Sequence, residues 1–561
     1  MVLYSEEDII SIVGSTAGLK SSQLRQLEQL LTKKISPDEV ISREAARSLA
    51  ALSGELNRQL GLLIQRSGVV TTVLVGDHDR IMIPALNKAR SSGSRLCGLR
   101  CVHTHCGVNG PDEEDIMDMV CLRLDLMSVL TLRAREPELL HTVHIQPEQG
   151  SSQGWQVLEP VHPAAPQPSC RGLIERIEEE LARLQAAHEV RRGHERAILV
   201  SVSTGPKAEA VLSLLELAEL ARAAEVEVVE QVMQRRSKVD SRFILGRGKL
   251  LEIMLMSIRS GADLLIFDQE LTPSQVRSIT SRTDLRVLDR TQLILDIFAR
   301  RARSREGRLQ IEMAQLKYLL PFLASRDDSL SRLTGGIGAR GPGETKLEID
   351  RRRIKDRIAR LADELREVGS QRQRRRSRRR KHEVPVVSLV GYTNAGKSTL
   401  LNSLTGAQIF AEDMLFATLD PTSRRFRLPG GTEAVLTDTV GFIRNLPAEL
   451  LQAFASTLEE LHEADLLLHL IDLANPAWPQ QAEVVDSLLR ELKLDLIPCL
   501  RVYNKVDLLP DALLPPQTQD GLCLSANKSA GLALLLAQIE HLLSPAADSP
   551  LQAERFPVSP S

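Results

Sequence analysis

A β-branched apolar run over residues 384–390 ends in Gly391-Tyr392-Thr393-Asn394-Ala395-Gly396-Lys397-Ser398, and Thr399-Leu400-Leu401-Asn402 continues it with helical spacing. Few short segments constrain a fold so tightly. Its glycines let backbone N–H groups converge on phosphate oxygens, and the helix N-terminus adds a favourable dipole. Both effects require a strand leading in and a helix leading out. The expected setting is a doubly wound α/β sheet with this loop at a strand end. Lys397 would then reach the β- and γ-phosphates, and Ser398 would ligate Mg²⁺.

Downstream residues extend the same chemistry. A strand-like run over 434–436 enters Thr437-Asp438-Thr439-Val440-Gly441. Asp438 there suits Mg²⁺ held through water, and the Gly441 N–H suits the γ-phosphate. Phe416-Ala417-Thr418 lies between the two motifs, and Thr418 could complete the Mg²⁺ shell. Lys397, Thr418 and Gly441 are thus the groups expected around the reacting phosphate. Asn504-Lys505-Val506-Asp507 follows another mostly apolar run. Asp507 can accept two hydrogen bonds from guanine, whereas adenine would leave that carboxylate unpaired. Lys505 could cover the base plane, and Asn504 could bind the base edge or brace the phosphate loop. Ser525-Ala526-Asn527 could present a backbone N–H to the guanine carbonyl. Four motifs in this order imply a GTP-hydrolysing domain. Many such domains place a glutamine after Gly441 to orient water, but this chain has Phe442. Slow intrinsic hydrolysis, accelerated by a partner, is expected. Asn394 resembles an asparagine that binds K⁺ in some bacterial GTPases.

Other regions separate by pattern. Helical spacing over 41–65 precedes strand-like runs at 69–76, 99–103 and 124–132; residues 146–169 read as a Pro/Ser/Gln-rich linker. Strands and helices alternate from 197 to 288, as in parallel βα units. Gly246-Arg247-Gly248-Lys249 opens a helix there and could approach a phosphate, although an ordinary turn is the favoured reading. Helical segments over 291–323 and 347–368 flank a glycine-rich tip, describing a helical hairpin.

Charge sharpens this division. The whole chain has 71 Lys+Arg against 73 Asp+Glu, a net charge of −2. Residues 300–381 alone hold 25 basic and 11 acidic side chains, so +14 sits there and −16 elsewhere. A basic helical rod suits an RNA cavity, and aromatic residues at only 3% favour phosphate contact over base stacking. Arg332, Gly335, Gly336, Gly338, Arg340, Gly341, Gly343 and Lys346 are the expected RNA contacts. Residues 372–381, eight of ten basic, are expected to be a flexible arm touching RNA. The first residues lack a signal-peptide pattern, and no run approaches a membrane span. Seven scattered cysteines do not suggest a disulfide framework, so a reduced, cytoplasmic setting is expected, with peripheral membrane association an alternative.

Residues 197–543 resemble the HflX family within the Obg–HflX group of ribosome-associated bacterial GTPases. Arg242-Phe243-Ile244-Leu245-Gly246-Arg247-Gly248-Lys249, Gln315-Leu316-Lys317-Tyr318-Leu319-Leu320-Pro321 and the glycine-rich tip carry the resemblance, as do Phe416 to Pro421 and Asp438 to Phe442. It implies a family-type α/β subdomain (195–300), a basic hairpin (301–370), an Arg-rich linker (371–383) and a P-loop GTPase domain (384–545), with a polar tail at 546–561. It also implies binding of GTP and GDP, binding to the large ribosomal subunit, and splitting of stalled ribosomes under stress. ATP binding in the α/β subdomain near Gly246 to Lys249 and a monomeric state are further expectations. A GTPase of ribosomal subunit assembly is the alternative.

Residues 1–170 form an α/β extension outside this resemblance. Cys97, Cys101, His103, His105, Cys106 and Cys121 cluster there. His103-Thr104-His105 with Asp115 is similar to the zinc site of JAB/MPN-type peptidases, which would make the chain a metallopeptidase with a regulatory GTPase. The spacing to Asp115 is one residue short, and Asp112 stands where serine is usual. A structural strand with incidental histidines is the expectation.

Overall fold

The protein is seen in a computed structural model. It describes residues 11–84, 95–107, 109–147, 154–189, 194–283, 285–324, 346–379, 384–406, 415–416, 422–444, 459–510 and 521–544. Two compact units are present: Met1–Ala218 with Glu225–Arg290, and Glu219–Ala224 with Thr291–Ser561.

The first unit holds two sheets. Strands β1 (Ser11–Gly14), β2 (Leu60–Gln65), β3 (Val70–Val75), β4 (Leu99–His105), β5 (Leu126–Arg133), β6 (Glu136–Ile145) and β7 (Trp155–Val157) form a mixed sheet ordered β1-β3-β2-β4-β5-β6-β7. Helical spacing had suggested one helix over 41–65, but the helix is Arg43–Leu56. The Ser42 side chain accepts a hydrogen bond from the Ala45 N–H to start it, and Asn57 stops it in the left-handed region at φ 51°. Leu60, Leu62, Leu63 and Ile64 then form β2. That strand is buried on both faces, so its unbroken apolar run hid the strand period. The expected linker is also structured: β7 pairs with β6, and the Gln167 amide bonds both N–H and C=O of Ile41. Arg100 is almost fully buried, with its guanidinium donating to the carbonyls of Val40, Gln65 and Ser36.

Strands β8 (Arg196–Ser203), β9 (Glu227–Arg235), β10 (Leu264–Phe267) and β11 (Arg286–Asp289) form the second sheet, all parallel, in the order β11-β10-β8-β9. This is the expected layer of βα units. Helix Pro273–Thr280 starts with proline in its first turn and a Thr272/Gln275 capping box.

In the second unit the expected helix over 291–323 is two, Arg290–Arg301 and Arg305–Ala324. Ser304 accepts from the Gly307 N–H and starts the second of them. Helix Lys346–Arg379 lies against it; the Arg357 guanidinium donates to both Glu312 oxygens at 2.8 and 3.0 Å, and Leu361 is fully buried. Most of the expected flexible arm is helical, because arginine is a good helix former and the helix continues to Arg379. Arg332, Gly335, Gly336, Gly338, Arg340, Gly341 and Gly343 lie outside the described residues, as do Ala417 and Thr418; Lys346 opens the long helix.

Strands β12 (Val386–Gly391), β13 (Thr422–Arg427), β14 (Glu433–Asp438), β15 (Leu466–Asp472), β16 (Cys499–Asn504) and β17 (Gly521–Cys523) make the third sheet, ordered β13-β14-β12-β15-β16-β17. All pairs are parallel except β13 with β14. The C-terminal ends of β12, β14 and β16 therefore deliver three of the four nucleotide motifs to one edge. Among the described residues, no helix is long and apolar enough to cross a membrane.

Candidate functional site

Strand β12 ends in the glycine-rich loop, and helix Lys397–Thr405 leaves it. Gly396 takes φ +91°, and a Cβ there would lie 2.3 Å from the Asn504 amide nitrogen. Only glycine lets the loop turn so close to β16. Asn504 explains the contact: its Nδ2 donates to the Ala395 carbonyl at 2.9 Å, and its Oδ1 accepts the Ala526 N–H at 3.0 Å. Of the two roles the sequence left open for Asn504, the structure shows the brace. It ties the phosphate loop to the Ser525-Ala526-Asn527 segment, and Ser403 adds a hydrogen bond to the Ala526 carbonyl.

Lys397 is buried, and its Nζ donates to the carbonyls of Gly391 and Tyr392 at 3.1 and 2.8 Å. Burial pushes its ammonium down to about 8, against the opposing pull of Asp438; Lys505 lowers it further. Ser398 Oγ donates to Asp438 Oδ2 at 2.8 Å. A hydroxyl beside a buried carboxylate is the donor set that a hydrated Mg²⁺ between loop and phosphate requires, so the residues fit that ion. Thr439 is tied to the Leu389 carbonyl by its hydroxyl. At Gly441 an added Cβ would meet Thr393 Cα at 2.9 Å and Lys397 Nζ at 3.1 Å, so the two motifs touch through backbone.

Phe442, standing where many such domains carry glutamine, has a structural part. Its N–H donates to the Gly391 carbonyl, its carbonyl accepts the Thr393 N–H, and it is only 2% exposed. The residue staples the two phosphate-binding segments together from inside the protein. Phe416 is also buried, with its ring 4.5 Å from that of Phe298. Any nucleotide contact from Phe416 therefore falls to its backbone.

On the base side, Lys505 sits in the left-handed region at φ 63° and donates to Asp472 at 2.8 Å. Asp507 follows on a short 3-10 turn and remains half-buried, open to a ligand. Asp472 was not singled out from sequence; its signal is an aspartate ending the strand that pairs with β16. Asn394 has φ 62°, the conformation its place in the loop demands.

At Gly246 to Lys249, helix Arg247–Ser260 does begin at Gly246. However, Arg247 pairs with Glu114 and Lys249 with Glu252, so both cations are already engaged within the chain. His103, His105 and Asp115, expected to be incidental, are brought together instead. The histidines lie on β4 and Asp115 opens helix Glu113–Cys121. Burial works to raise the Asp115 carboxyl, but hydrogen bonds from His103 and His105 and the Asp112 N–H outweigh it and hold it well below the usual range.

Three segments of the chain match known GTPase family models. Residues 212–299 match the family model described as GTP-binding GTPase N-terminal. Residues 301–379 match GTP-binding GTPase Middle Region, and 386–505 match 50S ribosome-binding GTPase. The chain is 49% identical over 355 residues to GTPase HflX of Caldanaerobacter subterraneus subsp. tengcongensis, covering 63% of this chain and 82% of that protein. It is 45% identical over 324 residues to GTPase HflX of Escherichia coli, covering 57% and 76%. A solved GTP-binding protein of Sulfolobus solfataricus in complex with GDP shares 27% identity, over 62% of this chain and 98% of that one, with a TM-score of 0.34.

Proposed function

The chain belongs to the HflX family of GTPases and hydrolyses GTP, and from that premise we propose that it is a ribosome-dependent switch in the cytoplasm. In this reading it engages the large ribosomal subunit and splits or rescues stalled ribosomes under stress. The observation that supports it most is the basic hairpin. Residues 300–381 carry +14, and Arg351, Arg352, Arg353, Lys355 and Arg360 are all exposed on its long second helix. Such a charged face favours a phosphate backbone, through release of counterions.

The nucleotide site supplies the switch. Lys397 and the backbone N–H groups of residues 391–399 hold the phosphates, Ser398 and Asp438 hold Mg²⁺, and Asp507 reads guanine. Mg²⁺ would screen charge developing on the phosphates. Thr418 and Gly441 would report on the γ-phosphate, the first by its hydroxyl and the second by its N–H. K⁺ beside Asn394 would add positive charge at the same place; equal hydrolysis rates in K⁺ and Na⁺ buffers would remove that part.

Sedimentation of intact ribosomes with the full chain tests the proposal. Subunits should separate with GTP or a non-hydrolysable analogue and stay joined with GDP. Binding only to assembly precursors would instead place the chain in subunit assembly. Affinity for the large subunit should also fall steeply with ionic strength, by about 10³-fold or more between 50 and 200 mM salt if six or more phosphates are contacted. Deleting residues 335–343 should weaken it further.

A further inference from the structure

His103 and His105 are two residues apart on β4, so both rings leave the same face of the first sheet. Their Nε2 atoms are 3.1 Å apart. Asp115 Oδ1 lies 3.0 Å from the first and Asp115 Oδ2 lies 3.3 Å from the second. All three residues are buried. Two ligand atoms, each about 2.0–2.1 Å from a tetrahedral zinc ion, lie about 3.3 Å from one another. The two nitrogens, and each nitrogen with its nearer Asp115 oxygen, therefore lie at the separations of neighbouring ligand atoms around one zinc ion.

Hydrogen bonding leaves that centre short of positive charge. His105 Nδ1 is 3.1 Å from the Asn109 carbonyl oxygen, which can only accept. In the neutral ring the proton accordingly belongs on Nδ1, which turns the Nε2 lone pair inward. There it meets carboxylate oxygens, which are acceptors too. His103 is fully buried, and its Nδ1 has no hydrogen-bond partner among the described residues. One proton on His103 Nε2 can point along only one of that atom's two contacts at a time, and it does not reach the contact between His105 Nε2 and Asp115 Oδ2. A divalent cation satisfies all three together.

The ligands are also held from outside, as a metal site requires. Asp112 caps helix Glu113–Cys121 by accepting the N–H groups of Glu114 and Asp115. In return Asp115 Oδ2 accepts the Asp112 N–H at 3.0 Å, which fixes the carboxylate. The Asn109 carbonyl fixes His105 in the same way. We propose that His103 Nε2, His105 Nε2 and the Asp115 carboxylate bind one zinc-class divalent ion, leaving a fourth position for water or an exogenous ligand. The same helix carries Glu114 and Asp118, paired with Arg247 and Arg282 of the second-sheet region. Metal binding thus pins the element that joins the two halves of this unit.

The proposal is independent of ribosome binding. Its test uses the full chain, free of any affinity tag, stripped with chelator and then dialysed against zinc. Elemental analysis should find one zinc per chain. His105→Gln and Asp115→Asn should each weaken zinc binding at least about 100-fold, while Cys106→Ser keeps it and GTP hydrolysis is unchanged in all three. Cobalt in place of zinc should show the intense visible bands of a four-coordinate ion without thiolate charge transfer. That measurement on the unaltered chain decides the matter if either ligand variant fails to fold. Absence of stoichiometric zinc would leave only a hydrogen-bonded triad and overturn the proposal. Undiminished binding in the ligand variants, loss in Cys106→Ser, or a thiolate–cobalt signature would overturn it equally.

Discussion

The phosphate loop and the His–Asp cluster both place their chemistry where a strand gives way to a helix N-terminus, yet they are assembled differently. The loop is one contiguous stretch, residues 391–399, and its donors are mainly backbone N–H groups. In the cluster, two side chains on β4 meet a third from the first turn of a helix that begins eight residues after the strand ends. The contrast teaches how each can fail. A contiguous loop tolerates change in its side chains but not in its backbone or its one essential cation. A convergent cluster depends on every side chain it uses and on the register that aligns them.

Lys397→Ala should test the loop most severely. Losing that cation should cut GTP hydrolysis by about 10³-fold in a single-turnover assay, with the metal content at His103 unchanged. Loss of metal as well would show that the two sites are not separable. Next comes Asp507→Ala, expected to lower GDP affinity by about 10²–10³-fold through two lost charge-assisted hydrogen bonds. Calorimetric titration checks it, and unchanged affinity would remove Asp507 from base recognition.

A pH series probes the cation without mutation. The buried Lys397 loses its proton near pH 8 in the nucleotide-free protein. Phosphate favours the charged form, so above pH 8 binding must take up a proton. Affinity for GDP should therefore fall with rising pH, approaching about tenfold per unit, and level off below pH 8. A flat profile between pH 8 and 9.5 would mean that the lysine stays charged without nucleotide.

The smallest effect concerns Phe442. Because its side chain is interior, Phe442→Gln should leave intrinsic hydrolysis no faster and should reduce stability by about 1–3 kcal/mol, the cost of burying an amide without partners. A faster rate with unchanged thermal unfolding would return this position to the water-orienting role.

Much of the nucleotide site was legible because its chemistry resides in residue identity over short spacings. Gly396, Lys397, Asp438 and Asp507 fall where their motifs placed them. The role of Asn504 was not, since both candidate roles suit the same amide and only its distances to Ala395 and Ala526 separate them. The interior place of Phe442 was not legible, because residue type speaks to polarity but not to the direction in which a side chain points. In the first unit, β2 was absorbed into a helix because a strand buried on both faces lacks the alternation that betrays a half-exposed one. The stretch over 146–169 has linker composition, but the edge of β6 was available to pair with part of it.

Sequence by itself determined the guanine-nucleotide chemistry, the βα alternation of the second sheet, and a charge division of +14 against −16. These are properties of residue type and near spacing, where backbone geometry leaves few options. Tertiary structure decided that the His–Asp triangle closes, that Asn504 braces the loop, and that Phe442 lies inside. Each depends on side-chain direction, and that is set by burying apolar surface among segments distant along the chain.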